Sequence, residues 1–129
     1  MSEIRNDYKY TKNHEWLKVE GDVALVGISD HAQHALGDIV FVKTGDVGEK
    51  VEAGKSFGFI ESVKAAEDLY APVGGEIAEV NTAISAKPEA INQDPYGSWI
   101  IKIRNFNQAE VDGLLDAQAY DALVQSLDH

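Results

Sequence analysis

Few residues in this chain have types and spacing that could do chemistry. Lys64 stands in Ile60-Glu-Ser-Val-Lys-Ala-Ala-Glu-Asp68, between two short apolar runs. Its neighbours Ala65 and Ala66 are small. A lysine at a hairpin tip between small residues presents its amine without steric cover, although an ordinary solvated turn lysine fits the same position. Nothing beside it in sequence favours the neutral amine that base or Schiff-base chemistry requires. Lys64 is better suited to modification by another enzyme. The histidines are His14, His31, His34 and His129. His14-Glu15 and Asp30-His31 are neighbours in sequence. Neighbours on a strand point to opposite faces, so neither pair is by itself an acid–base dyad. His31 and His34 have a spacing that one metal could bridge on a helix. No third ligand stands at a supporting distance, so no metal site is expected. Gly45-Asp-Val-Gly48 lacks the lysine of a phosphate loop and the glycine pattern of a dinucleotide site. Ser56, Ser62 and Ser98 lack a G-x-S-x-G context. Residue by residue, the chain does not read as an autonomous enzyme.

Composition bounds the partners. The 129 residues make about one domain, spanning 1–129. The chain is 44% apolar and 26% charged, which fits a globular chain and not a disordered one. Eleven Lys+Arg face 22 Asp+Glu, for a net charge of −11. Phosphate is repelled by such a surface, so no nucleic-acid partner is expected. The absence of cysteine excludes disulfides, thiolate metal sites and a cysteine nucleophile. No apolar run approaches the roughly 20 residues of a membrane helix. The first residues have neither an apolar signal core nor an Arg-rich transit pattern. A cytoplasmic location away from membranes is the expectation. After Arg104 no Lys or Arg occurs, while Glu110, Asp112, Asp116, Asp121 and Asp128 follow. That is either a solvated helical face or an acidic surface that steers basic partners.

The elements that must position Lys64 are mostly strands. Apolar or alternating runs lie at Val23–Ile28, Ile39–Val42, Phe57–Ser62, Glu67–Ala71, Glu76–Val80 and Trp99–Ile103. Glycines at 45, 48, 54, 74 and 75 separate them, which indicates a small sandwich or barrel. Asp30 with Gln33 has capping-box spacing for a short helix that Gly37 would stop. Asn107 with Glu110 repeats the pattern and opens a C-terminal helical segment over about 107–127. Within it Tyr120, Leu123, Val124 and Leu127 keep one apolar face, expected to pack on the sheet. Gly37-Asp-Ile-Val-Phe-Val42 faintly echoes Gly75-Glu-Ile-Ala-Glu-Val80, as two similar β halves would.

Several separated motifs, in order, resemble the H-protein family of the glycine cleavage system, which are lipoyl carriers. They are Asn13-His-Glu-Trp16, Val26-Gly-Ile-Ser-Asp-His-Ala-Gln33, Leu36-Gly-Asp-Ile-Val40, Glu61-Ser-Val-Lys-Ala65, Ala71-Pro-Val-Gly-Gly-Glu76, Ile91-Asn-Gln-Asp-Pro-Tyr-Gly97, Trp99 and Leu114-Leu-Asp-Ala117. The likeness runs from about Tyr8 to about Leu127. It implies a mainly β fold, a barrel-sandwich hybrid of two small antiparallel sheets of the lipoyl/biotinyl type, with short peripheral helices and a C-terminal helix. Biotin carriers of that fold flank their lysine with methionines; here the flanks are Val63 and Ala65.

The resemblance further implies a non-catalytic carrier with lipoate in amide linkage on Lys64. Glu61, Ser62, Val63 and Ala65 complete the attachment motif. The arm would reach on the order of 12–14 Å, comparable with a domain radius of roughly 14 Å. Its implied partners are a pyridoxal-phosphate glycine decarboxylase, a folate-dependent aminomethyltransferase, dihydrolipoamide dehydrogenase and a lipoate-attaching enzyme. The aminomethyl-lipoyl group would be sheltered by a pocket for which Glu15, Asp68 and Asn13 are the candidates. Ala35 stands where some members carry a histidine, with His34 adjacent. The alternative is a lipoyl relay or biotinyl carrier domain for another complex.

Overall fold

The computed structural model describes residues 3–127; Met1, Ser2, Asp128 and His129, the last two noted above for charge and as a histidine, lie outside the described residues. The alternating runs pair into two antiparallel sheets. The larger holds, in order across it, β1 (Lys9–Tyr10), β2 (Glu15–Glu20), β3 (Val23–Ile28), β9 (Ile101–Arg104), β8 (Gly75–Val80) and β5 (Lys50–Val51). The smaller holds β4 (Ile39–Thr44), β6 (Ser56–Ser62) and β7 (Ala66–Tyr70). The echoing segments form β4 and β8, one in each sheet. Between the sheets lie Leu17, Val26, Ile28, Val42, Ile60, Leu69, Ile77, Ile101 and Ile103, all buried. Each such side chain contributes roughly 1.5–3 kcal/mol on burial.

Strands β1, β2 and β5 were not apparent from the pattern. β2 carries Glu15, Trp16 and Leu17 in succession, all buried. Leu17 enters the core between the sheets, and Trp16 enters a second core on the opposite face. Burial on both faces over these three residues removes the alternation from the first half of the strand, and only Leu17–Glu20 keep it. β1 and β5 have two residues each, and their pairing comes from distant partners. The last strand begins at Ile101 and not at Trp99, although Ile100 N–H already bonds the Val26 carbonyl at 2.7 Å.

Five helices border the sheets among the described residues: α1 (Asp30–Leu36), α2 (Thr82–Ala86), α3 (Ala90–Gln93), α4 (Gln108–Asp112) and α5 (Ala117–Leu127). The cap of α1 is Ser29, not Asp30. Ser29 has extended backbone and its Oγ accepts from Ala32 N–H at 3.2 Å, so it holds the capping position. Asp30 sits in the first turn, and its carboxylate accepts from Gln33 Nε2 at 2.8 Å. Asn107 caps α4 as expected. Glu110 does not complete a box; its carboxylate accepts from Gly74 N–H at 2.9 Å and ties the helix to the sheet. Asp116 accepts from Ala119 N–H at the start of α5.

The C-terminal helix covers the outer face of the larger sheet. Tyr120 and Val124 are buried there with Tyr8, Tyr10, Trp16 and Tyr96, while Leu127 is exposed. Tyr10 and Tyr120 stack with ring centroids 4.3 Å apart. Trp16 Nε1 donates to the Pro95 carbonyl at 3.0 Å. Tyr10 and Leu115 exchange two backbone hydrogen bonds, which cover the free edge of β1. Among the described residues no helix is long and apolar enough to cross a membrane.

Gly27 lies directly across from Trp16 in the β2–β3 ladder. A Cβ there would stand 2.5 Å from the Trp16 ring. Gly27→Ala should therefore cost about 1–3 kcal/mol through overpacking. A urea titration followed by tryptophan fluorescence checks this; a midpoint equal to the parent chain's would show that the ring moves aside freely.

Candidate functional site

Lys64 sits at the tip of the β6–β7 hairpin, in the turn Val63-Lys64-Ala65. Ser62 organises that turn. Its backbone N–H donates to the Ala65 carbonyl at 2.8 Å, and its Oγ accepts from the N–H groups of Lys64 and Ala65 at 3.3 and 3.1 Å. Val63 N–H donates to the Asp38 carbonyl at 3.0 Å, which fixes the tip to the start of β4. The backbone of the tip is thus held while the Lys64 and Val63 side chains stay exposed.

The lysine stem passes the C-cap of α1. A Cβ placed on Gly37 would stand 3.5 Å from Lys64 Cε, and Gly37 has φ +78°, a conformation that favours glycine. Asn92 of α3 fixes this corner. Its Oδ1 accepts from Ile39 N–H at 2.9 Å, and its Nδ2 donates to the Gly37 carbonyl at 2.8 Å and to Gln33 Oε1 at 3.0 Å.

Beside the tip a cleft of about 290 Å³ opens between β7, α1 and the loop before β2. Ile28, Leu36, Ile60 and Leu69 give it apolar walls, and Ala65 forms the edge nearest Lys64. The three carboxylate and amide candidates, Asn13, Glu15 and Asp68, all border it. So do Ala35, where the likeness places a histidine of some members, and His14 and Glu67, which the sequence did not single out as pocket groups. His34 does not; its ring is largely in solvent, 3.4 Å from Asp30. The register sets Glu67 across from Ile60 and Asp68 across from Phe59. The two carboxylates therefore leave opposite faces of β7, Glu67 on the face shared with the core residue Ile60. Alternation in the sequence carried that signal.

Glu15 is 2% exposed. One carboxylate oxygen accepts from Thr11 Oγ1 at 2.6 Å, the other from Tyr70 N–H at 3.2 Å. β2 belongs to the larger sheet and β7 to the smaller, so this side chain joins the two. Burial pushes its carboxyl up to about 7, against the pull of the Thr11 and Tyr70 hydrogen bonds. Glu15 also forms part of a second cleft of about 310 Å³ on its far side, which shares Lys12, Asn13 and Tyr70 with the first.

His14 holds a left-handed backbone at φ +74°, uncommon outside glycine. The Thr11–His14 turn imposes it: His14 N–H bonds the Thr11 carbonyl, and Thr11 Oγ1 accepts from Asn13 and Glu15 N–H. His14 Nδ1 lies 2.8 Å from the Tyr120 hydroxyl, which lies 2.6 Å from Ser29 Oγ. Loop, α5 and the cap of α1 are joined through one hydroxyl. Burial, and then the His31 ring with its centroid 4.7 Å away, hold His14 below its ordinary value.

The family model "Glycine cleavage H-protein" matches residues 8–127. The chain belongs to that family. A glycine cleavage system H protein of Leptospira biflexa is 49% identical over 127 residues, covering 98% of both chains. The "Glycine cleavage system H protein 2" of Pseudomonas putida is 52% identical over 125 residues, covering 96% of this chain and 98% of its own. A crystal structure of a glycine cleavage system H protein from Mycobacterium marinum superposes with a TM-score of 0.84 at 42% identity, covering 92% of this chain and 97% of that one. The two-sheet fold and its family assignment therefore agree with the likeness drawn from the motifs.

The raised Glu15 carboxyl makes a pH prediction. The folded chain keeps this proton up to about pH 7, whereas the unfolded chain releases it near 4.5. Stability from this group is fully present below 4.5 and is lost as pH rises through 7. The loss should be about 2–3 kcal/mol between pH 5 and 8. Subtracting the same curve for Glu15→Gln, which cannot titrate, removes the contribution of His14. Parallel stability curves for the two proteins would refute the shift.

Proposed function

We propose that this chain is the lipoyl carrier of a glycine cleavage system, with lipoate in amide linkage on Lys64. The observation that carries the reading is an exposed lysine on a hydrogen-bonded hairpin tip, bordered by a cleft with apolar walls and an acidic rim. The residues present suit the group. Ile28, Leu36, Ile60 and Leu69 offer a dry surface to an alkyl arm and its ring. When attached, lipoate would supply a disulfide that is reduced as it takes up the aminomethyl group of decarboxylated glycine, and the dithiol left after release would be reoxidised. Four partner classes follow: the pyridoxal-phosphate glycine decarboxylase, the folate-dependent aminomethyltransferase, dihydrolipoamide dehydrogenase and a lipoate-attaching enzyme.

The chain's own residues then have separate tasks. Ser62 holds the tip backbone so that Lys64 is presented and not folded back. Gly37 gives α1 the positive-φ cap past which the lysine stem runs. Asn13 and Glu67 line the rim where a cationic amine would rest, and Asp68 borders the cleft from the opposite face of β7. Glu15 lies deeper, and a cation in the cleft would favour its ionised form. Modification of Lys64 removes one positive charge from a surface already rich in acid.

Intact mass tests the reading. Incubation with lipoate, ATP and an ATP-dependent lipoate ligase should add one lipoyl group per chain, and Lys64→Arg should abolish the adduct. An unmodified parent chain, or an adduct retained in Lys64→Arg, would defeat the assignment.

A further inference from the structure

The smaller sheet turns an apolar strip to solvent beside the lysine tip. Along β4 the order Ile39-Val40-Phe41-Val42 should alternate in and out. Instead Ile39 and Val42 are buried, while Val40 is 54% and Phe41 45% exposed. A β-bulge causes this: Ile39 pairs with Ser62 and Phe41 with the adjacent Glu61, leaving Val40 as the extra residue. Bulges re-aim side chains at the expense of regular ladder bonding. Phe59 extends the strip, its ring centroid 5.7 Å from that of Phe41. Val63 extends it onto the tip itself and is 70% exposed. Three of the six large apolar side chains that are exposed among the described residues thus gather here. Carboxylates edge the strip: Asp38 at the start of β4, Glu61 across from Phe41, and Asp68 across from Phe59. Lys43, also across from Phe59, closes the far end.

We propose that Val40, Phe41, Phe59 and Val63 form the docking surface for the enzyme that acylates Lys64, a partner with an apolar active-site mouth rimmed by basic side chains. The proposal rests on the reading of Lys64 as the acylated residue, and reach selects this partner. A bare lysine extends about 6 Å from Cα to Nζ, whereas the loaded arm extends on the order of 12–14 Å. An enzyme acting on the loaded arm works at a distance from the tip. The acylating enzyme must bring its reactive carbon within about one lysine length of the backbone. Side chains flanking the tip are then covered, and a central apolar patch with a charged rim suits that contact. The acids favour encounter with a basic rim. In the step served, the Lys64 Nζ lone pair attacks the carbonyl carbon of an acyl adenylate made from lipoate and ATP. An amide C–N bond forms, the C–O bond to phosphate breaks, AMP leaves with that electron pair, and the amine's proton passes to solvent. Nothing is oxidised or reduced.

The test compares the parent chain, the double variant Val40→Ser/Phe41→Ser, the single variant Phe41→Ser, and Val47→Ser. Val47 is 58% exposed and lies outside the strip, in the β4–β5 loop, so it controls for lost surface apolarity. Circular dichroism and urea midpoints establish that each is folded; Phe41→Ser serves if the double variant is not. Acylation with limiting lipoate ligase is followed by intact mass. The proposal expects kcat/KM to fall tenfold or more in the double variant, mainly through KM, and to stay within twofold in Val47→Ser. After exhaustive acylation and reduction, reoxidation by dihydrolipoamide dehydrogenase should stay within twofold of the parent for every variant. Equal acylation of parent and strip variants overturns the surface alone. An equal fall in acylation and reoxidation overturns its assignment to the acylating enzyme. A parent chain that is never acylated overturns the lipoyl reading and this surface with it.

Discussion

The Glu15 carboxylate is the constraint on which the site depends. It is the one acid among the buried polar side chains of the described residues. A carboxylate withdrawn from water is costly unless it is hydrogen-bonded or neutralised. Here both remedies operate. Thr11 donates from within the same loop, and Tyr70 donates from the opposite sheet. Satisfying one buried group therefore fixes the spacing of the two sheets at the end where the cleft opens. The Thr11–His14 turn follows from the same need, because Thr11 Oγ1 serves both the carboxylate and the loop's N–H groups. The left-handed His14 backbone is the local cost of that turn.

From this corner the restraints run in two directions. Through His14 and the Tyr120 hydroxyl they reach Ser29, and so the cap of α1. Burial pushes the Tyr120 phenol up to about 12, so the hydroxyl keeps its proton and bridges two partners. Along α1 they reach Gln33 and Gly37, where Asn92 ties the helix end to β4. β4 in turn holds Val63 through the Asp38 carbonyl. Lys64 is thus exposed without being loose. Its side chain is free, while its backbone belongs to a hydrogen-bonded path that starts at a buried acid.

What the sequence disclosed follows from how local each cause is. The strands β3, β4, β6, β7 and β8 were legible because short apolar or alternating runs and the glycines between them lie within each segment. The Lys64 tip was legible for the same reason: two short runs with small residues between. β2 was hidden because both its faces are buried over Glu15, Trp16 and Leu17, which leaves only a short alternating stretch after them. The cap of α1 was misplaced by one residue because Ser29 and Asp30 are both capping types, and only the extended Ser29 backbone decides between them. Glu15 could be named from the motif likeness, but its raised carboxyl comes from tertiary burial, and the Tyr70 N–H that opposes the rise lies 55 residues away. Glu67 and Asp68 are neighbours of the same charge; strand alternation separates their faces, and the ladder register fixes which of the two is the face of Ile60.

The acidity of the chain therefore has two physical meanings. Glu15 is a neutral-leaning structural acid whose burial raises its carboxyl. The exposed acids act at a distance: Asp38, Glu61 and Asp68 around the apolar strip, and the surface acids of the C-terminal segment. Exposed charge is screened within about 10 Å at ordinary salt, so it shapes encounter more than residence. The apolar strip complements it, because buried area contributes once partners meet and charge contributes before. A carrier that must release each partner is served by that division. The lack of cysteine fits the same economy on the lipoyl reading. No thiolate on the chain can attack a disulfide borrowed from a cofactor and trap the arm against its own surface.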